Sequence, residues 1–476
     1  MKGFENNMKI AIIGAGATGM GVASKLAREN KNLKIHVFQN HNYISLGACA
    51  IPYFISNDFR KQSLLNARTT KDFKNEKAYQ SKIQFHLNHI VKNINPEKNE
   101  LTYQNQKNNK SNKIKYQYLV IATGAKGNIF PPFNLKKQPK NLFNVITKED
   151  AINIKKIIKN SQKIAIIGGS FIGLEMAEAC AKLKKDTTII EVKNGLMANV
   201  FDHEFSQLIY DEVTGKNTNN QKTNKQLMAT KVLLKTTIEK INLKDDTIVS
   251  LKTNKGELIE CDLVLLATGF RPNTDFLTKN NIKLAKNNAV IINQYGQVLK
   301  SDSSVYENIF SGGDCAIIIN KINQNIDYLP LATTANKIAR VIAHNITHPD
   351  QKESWPGTLG SGILRVKNLE LAKTGIKDDS WTSEKVASVF VKSNDIPIYF
   401  KTAKPLYLKL TYDKTSYQLL GAQIAGYNKA VLRIDALATA IWNKMDSRDL
   451  QNLDLVYAPP FATTSDIIHI AARKIK

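Results

Sequence analysis

Two glycine-rich turns and one isolated cysteine are the parts of this 476-residue sequence best suited to chemistry. Gly14-Ala15-Gly16-Ala17-Thr18-Gly19 follows the apolar run Lys9–Ile13 and opens a helical pattern. In such a turn the first glycine permits the bend and the second lets a pyrophosphate approach the backbone. The third lets the helix pack on the strand, and the helix N-terminus presents free N–H groups to phosphate. Gly168-Gly169-Ser170-Phe171-Ile172-Gly173 repeats the arrangement after Lys163–Ile167, with Ser170 in place of the middle glycine. Serine is small enough to keep the approach open. The second strand of each unit ends on a polar residue, Gln39 in the first and Glu191 in the second. A carboxylate at that point suits the free 2′-hydroxyl of NADH and repels the 2′-phosphate of NADPH; Lys193, close by, would soften that preference. Gln39 can hydrogen-bond a ribose only without charge assistance.

The cysteines are Cys49, Cys180, Cys261 and Cys315, far apart and with no CxxC pair. That spacing suggests neither a zinc site nor a disulfide framework, and it fits a reducing compartment. An isolated cysteine is ordinarily a small buried hydrophobe, as expected of Cys315. A working thiol needs its thiolate, which a nearby helix N-terminus would favour. Ala48 and Ala50 leave room beside the sulfur of Cys49.

The elements that must position these residues are legible. Lys9–Ile13, Val22–Leu26 and Lys34–Phe38 read as a βαβ unit, as do Lys163–Ile167, Leu174–Leu183 and Thr187–Glu191. After about His344 the pattern changes: Gly362–Val366, Leu406–Tyr412 and Tyr417–Ile424 read as strands and Ala430–Asn443 as an amphipathic helix. The polar stretches Gln104–Lys113 and Thr214–Lys225 have little to bury and read as surface loops or hairpin tips. No run approaches the ~18 apolar residues a membrane span needs, and the first apolar run is too short for a signal peptide, so the expected location is the cytoplasm. The formal net charge of +26 raises nucleic-acid binding as a question. The lysines are spread along the whole chain without a basic motif, so a solvated surface is expected and no nucleic-acid partner.

Ala122-Thr123-Gly124-Ala125, then Ala267-Thr268-Gly269-Phe270-Arg271-Pro272-Asn273, then Gly312-Gly313-Asp314 follow the two turns in order. With them the chain resembles the FAD-dependent pyridine nucleotide–disulfide oxidoreductases over essentially its whole length. The resemblance implies two Rossmann-like domains, for FAD and NAD(P)H, and a C-terminal α+β dimerisation domain. The expected divisions are 8–149 and 272–345 for FAD, 150–271 for NAD(P)H and 346–476 for dimerisation. It also implies that Asp314 holds the flavin's ribityl chain and that Pro330-Leu331-Ala332-Thr333-Thr334-Ala335 lies beside the flavin ring. Ser45 and Gly269 are counted among the cofactor contacts, and Phe171 as an aromatic cover that NADH displaces.

Relatives such as glutathione reductase carry two cysteines with four residues between them; here positions 44 and 54 are Ile44 and Phe54. Ser45-Leu46-Gly47-Ala48-Cys49-Ala50-Ile51-Pro52-Tyr53 instead resembles the single-cysteine branch of coenzyme A–disulfide reductases, NADH oxidases and NADH peroxidases, with Leu46 where that branch has Phe. The resemblance implies that Cys49 works against the flavin and cycles between thiolate and mixed disulfide, or thiolate and sulfenic acid. Leu455-Val456-Tyr457-Ala458-Pro459-Pro460-Phe461 is similar to the reductase type, in which this tyrosine reaches the partner subunit's site as proton donor. Tyr399 keeps one of two tyrosines expected in a second stretch. Arg28 and Lys77 match basic positions that hold coenzyme A. Ala48, Asn336 and Ser465 depart from that pattern, so oxygen, peroxide or another disulfide stays open as acceptor. A flavin-binding redox sensor or a basic DNA-associated protein is the non-enzyme alternative, against which two nucleotide units stand. No metal is expected.

Overall fold

The computed structural model describes residues 8–29, 33–77, 79, 82–216, 230–378 and 384–476. The first βαβ unit forms as expected, with longer elements. Met8–Ile13 pairs in parallel with Leu33–Gln39 in the register Ile10↔Ile35, and with Tyr118–Ile121 in the register Ile10↔Tyr118. Ile83–Leu87 extends the sheet on one side and Val305–Ser311, then Gln297–Leu299, on the other. Met8–Ile13 and Tyr118–Ile121, at its centre, are near-continuous apolar runs, as strands covered on both faces require. The helix Ala17–Glu29 buries Val22, Ala23, Leu26 and Ala27 at helical spacing. It packs on the helix Ala332–Thr347; a Cβ on Gly21 would lie 2.8 Å from Ala339 Cβ. The late part of the chain thus returns to the first unit.

The second sheet is wholly parallel, in the order Lys231–Leu233, Asp186–Ile190, Lys163–Ile167, Leu263–Leu266, Leu142–Asn144. Leu142–Asn144 joins it from ahead of residue 150. Glu191 stands one residue past its strand. Between the two units Ala125–Gly127 pairs antiparallel with Phe270–Pro272, so outgoing and returning chain cross side by side.

The C-terminal part is a five-stranded antiparallel sheet: Gly362–Val366, Leu369–Gly375, Leu419–Gly426, Pro405–Asp413, Val386–Asn394. The strand expected from Tyr417 begins at Leu419, because Tyr417 sits in the preceding turn with φ +56°. The helix expected over Ala430–Asn443 is a 3₁₀ turn, Ala430–Arg433, followed by an α-helix, Ile434–Trp442, with Ile434, Leu437, Ala440 and Ile441 buried. The stretch Gln104–Lys113 spans a hairpin: its ends belong to the paired strands Glu100–Asn105 and Ser111–Lys115, and residues 106–110 form the tip. Thr214 belongs to the helix His203–Thr214 rather than to a loop, and Gly215 ends that helix at φ +75°; the stretch expected as loop beyond 216 lies outside the described residues.

One ionic cluster around the buried Lys409 and Asp202 ties the second unit to the C-terminal sheet. Lys409 Nζ, 6% exposed, reaches Asp378 at 2.6 Å, Glu204 at 3.0 Å and Asp202 at 3.1 Å. Gln423 donates to Asp202 at 2.7 Å.

Candidate active site: two glycine turns and Cys49

The first turn is shaped by its carbonyl neighbours. Gly14 has φ +104°, and a Cβ there would lie 2.0 Å from Ala122 O. A Cβ on Gly19 would lie 1.9 Å from Gly14 O, so helix and turn touch. A Cβ on Gly16 would meet nothing within 4 Å. That opening lies at the start of the helix Ala17–Glu29, where free N–H groups suit a phosphate. Thr18 packs under Gly313 and its hydroxyl donates to Ala335 O at 3.3 Å. The turn, the Gly312-Gly313-Asp314 segment and the N-terminus of the helix Ala332–Thr347 thus converge. Leu331 caps that helix, and Ala332 and Thr333 are exposed in its first turn.

Two polar groups in this region await a partner. Thr123 Oγ1 is buried and has no hydrogen bond. The Asp314 carboxylate makes no hydrogen bond or ion pair among the described residues, and burial pushes its carboxyl up. An open phosphate cradle with unpartnered hydroxyl and carboxylate beside it fits a dinucleotide with a polyhydroxyl chain. Gln39 Oε1 accepts the Ala15 N–H at 3.4 Å and its amide donates to Tyr43 O at 3.2 Å.

The second turn repeats the geometry. Gly168 has φ +108°, and its Cβ would lie 2.4 Å from Ala267 O; a Cβ on Gly173 would lie 2.0 Å from Gly168 O. Ser170 caps the helix Phe171–Lys182 without a side-chain cap bond, which leaves its hydroxyl for a ligand. Glu191, 9% exposed, accepts the Gly169 N–H at 2.6 Å and the Lys193 N–H at 2.8 Å. The Lys193 ammonium is bound to Asn199 Oδ1 rather than to Glu191. Phe171 packs with Ile172 against the core, near Gly362 of the C-terminal sheet. Gly269, at φ +83°, accepts the Asn128 N–H at 3.0 Å in the crossing between the units.

The Cys49 segment hangs from the first turn. The Ser45 N–H donates to Ala15 O at 2.8 Å, and Ser45 O accepts from Ala67 at 2.8 Å. Gly47 then donates to Leu65 O at 2.8 Å, and Ala48–Ala50 forms a 3₁₀ turn running into the helix Ile51–Ile55. Cys49 is exposed, whereas Cys180, Cys261 and Cys315 are buried. Cys315 is the packed interior thiol expected, its Sγ donating to Ile121 O at 3.3 Å. The Cys49 thiol is shifted in the direction opposite to the lowering expected of a helix N-terminus. Desolvation, then the Glu175 carboxylate and, more weakly, Asp314, push it up. A helix of five residues is too short to outweigh them.

Glu175, which the sequence reading missed, is itself pushed up to about 7 by burial and the neighbouring Glu178. Its one sequence signal is an acid two residues past Gly173, in an otherwise apolar helix start. Arg68 was missed too. Its guanidinium lies 4.4 Å from the Phe73 ring centroid and pairs with Glu76. Arg28 donates to Tyr79 Oη at 2.7 Å, close to the same cluster, while Lys77 is exposed. Tyr399 and Tyr457 are 69% and 47% exposed on the C-terminal domain, and one chain does not hydrogen-bond either to Cys49.

Among the described residues no group of three or more His, Cys, Asp or Glu could hold a metal ion, and no helix is long and apolar enough to cross a membrane. Residues 8–339 match the pyridine nucleotide-disulphide oxidoreductase family and residues 364–466 its dimerisation domain. An NADH oxidase of Methanocaldococcus jannaschii is 28% identical over 471 residues, 98% of each chain. A coenzyme A disulfide reductase of Staphylococcus aureus is 27% identical over 470 residues, covering 98% of this chain and all of that one. The solved NAD-dependent persulfide reductase of A. fulgidus superposes with a TM-score of 0.87 at 28% identity, over 98% of this chain and 82% of that one. Two matching glycine turns, a crossing pair of strands between them and an antiparallel C-terminal sheet therefore mark the chain as a member of the pyridine nucleotide-disulphide oxidoreductase family, whose cofactors are FAD and NAD(P)H.

Proposed function

We propose that this chain reduces coenzyme A disulfide, or a related small disulfide, with electrons from NADH, as a cytoplasmic homodimer. The observation that carries the reading is that Cys49 is the one exposed cysteine of four and is hung from the first glycine turn. In this reading Gly14, Gly16, Ala17, Thr18, Gly19, Gln39, Ser45, Ala122, Thr123, Gly124, Asp314 and Leu331–Thr333 hold FAD. Gly168–Gly173, Glu191 and Gly269 hold NADH. The charge of Glu191 supports NADH over NADPH, since a carboxylate at the end of this second strand repels a 2′-phosphate. Arg28 and Lys77 face the acceptor's anionic end.

The Cys49 thiolate attacks one sulfur of the substrate disulfide, forming a mixed disulfide and releasing a thiolate. Tyr457 of the partner subunit, assisted by Tyr399, protonates that leaving thiolate. FAD, when bound and reduced by NADH, would supply the two electrons needed to open the mixed disulfide, which leaves the Cys49 thiolate and a second small-molecule thiolate. Oxygen or peroxide as acceptor is the second reading. It is favoured by Ala48, Asn336 and Ser465, which leave coenzyme A without three of its expected contacts.

NADH consumption measured with coenzyme A disulfide, oxygen and peroxide side by side separates the two. Cys49→Ser should abolish disulfide reduction while hydrogen peroxide formation from oxygen continues. Unaltered disulfide reduction by that variant would sink the role given to Cys49.

A further inference from the structure

Residues 193–201 lie between Glu191 and the helix His203–Thr214 and fold back onto the second glycine turn. The Met197 N–H donates to Gly169 O at 2.9 Å, while the Gly169 N–H goes to Glu191 at 2.6 Å. Glu191 and Met197 therefore grip the same residue, one through its N–H and the other through its carbonyl. Leu196 fills the space beside it: a Cβ on Gly169 would lie 2.4 Å from Leu196 Cδ2. Met197, buried, makes the bend at φ +57°. That left-handed conformation is unfavourable for a residue with a Cβ and persists only where the surroundings hold it. Val200 and Phe201 hold it from one side, donating to Met197 O at 2.8 and 3.0 Å. From the other side the hold comes from a distant part of the chain. Lys377 Nζ donates to Ala198 O at 2.9 Å. Lys377 stands just past the strand Leu369–Gly375, between two anchored residues. The Ile376 N–H donates to Leu420 O at 3.1 Å, and Asp378 accepts from Ser388 at 2.9 Å and Thr411 at 3.0 Å. A charge-assisted bond thus runs from the C-terminal sheet to the residue next to the bend.

Resting on the reading that Gly168–Gly173 and Glu191 hold NADH, we infer that Lys377 is a positioning residue for the nucleotide site. It holds Ala198, Ala198 holds the Met197 bend, and the bend fixes the Gly169 residue that Glu191 also grips. Nucleotide affinity is thereby set in part from the C-terminal domain. A second lysine supplies an internal comparison. Lys367, in the turn between Gly362–Val366 and Leu369–Gly375, donates to Glu212 O at 3.0 Å and Val213 O at 3.1 Å. It ties the same two parts of the molecule together, but at the end of the helix His203–Thr214 that lies away from residues 193–201.

The test is calorimetric titration of NAD+ into the oxidised holoenzyme, which needs no turnover. Lys377→Met should weaken NAD+ binding about fivefold. Lys377→Arg, which keeps a charged donor, should bind as wild type does, and Lys367→Met should leave the affinity alone. Wild-type affinity in Lys377→Met would overturn the inference. So would equal weakening in Lys367→Met, because the effect would then be a general loosening between the two parts. Lys377→Gln, with a shorter and uncharged side chain, gives the same reading if the methionine variant does not fold. Glu191→Gln tests the underlying assignment separately. If it weakens NAD+ while Lys377→Met does not, the nucleotide site stands and the role of Lys377 falls. If it binds as wild type while Lys377→Met is weakened, the contact given to Glu191 is wrong and the role of Lys377 stands.

Discussion

Gln39 and Glu191 make the same bond in the two halves of the molecule. Gln39 ends its strand and Glu191 follows its own, and each turns a side-chain oxygen back onto the second residue of the glycine turn, Ala15 N–H at 3.4 Å and Gly169 N–H at 2.6 Å. The charged partner makes the shorter contact, as charge-assisted bonds do. Glu191→Gln would keep the shape and remove the charge. The expected result is a rise of about tenfold in KM for NADH and a gain in use of NADPH, since about 1.4 kcal/mol separates a charged from a neutral contact of this kind. Parallel kcat/KM determinations with both nucleotides check it; unchanged discrimination would remove Glu191 from nucleotide selection.

The glycines of the first turn should separate fold from ligand. Gly14→Ala places a Cβ 2.0 Å from a backbone carbonyl at φ +104°, and should cost about 3 kcal/mol or more of stability. Gly16→Val places its side chain in open space. That variant should melt normally as apoprotein and fail to retain flavin. Thermal unfolding and the absorbance ratio of flavin to protein read the two effects. A colourless Gly16→Val protein with a lowered apoprotein melting temperature would contradict this division.

Much of this was legible in the chain itself, and the limits have physical causes. Strand–turn–helix periodicity located both βαβ units, and the crowding of Gly14 and Gly168 agrees with the role read for the first glycine. The local environment of Cys49 was not legible. Its thiol is raised by desolvation and by Glu175, on a helix some 125 residues later, and periodicity carries no information about such tertiary neighbours. Arg68 escaped for a similar reason: it lies outside the helix Thr70–Asn75, and only the folded chain brings Phe73 and Tyr79 around it. Tyr417 was read into a strand because alternation cannot register a positive φ.

Lys409 should be hard to replace. Lys409→Met leaves Asp202, Glu204 and Asp378 without their shared cation, and a loss of about 3–5 kcal/mol is expected, read by denaturant unfolding. The wild-type cluster also fixes a pH window. Asp378 is held below its ordinary range despite its partial burial, by hydrogen bonds from Lys409, Ser388 and Thr411. Its contribution is therefore present above the unfolded carboxylate pKa and lost as pH falls through the folded one. The Lys409 ammonium is held up by Asp378, Glu204 and Asp202 against its own desolvation, so its contribution is lost only in strong alkali.

His86 gives a second acid-sensitive point. Burial, then His36 at 3.0 Å and His89, lower it from 6.5 to about 4. Between those values the unfolded chain binds the proton and the folded chain does not, so stability falls as pH drops through that interval. His86→Phe, which keeps the stacking on Phe38, should flatten the melting temperature between pH 6.5 and 4. A curve as steep as wild type would place the sensitivity elsewhere.

The uneven exposure of the four sulfurs makes the chain its own gauge of integrity. A native molecule offers one accessible thiol, and an unfolded one offers four. A colorimetric thiol count should therefore read one equivalent per intact chain and climb toward four as molecules open. Followed over time in a large excess of reagent, the slow phase times the opening of the interior, while the fast one counts competent sites.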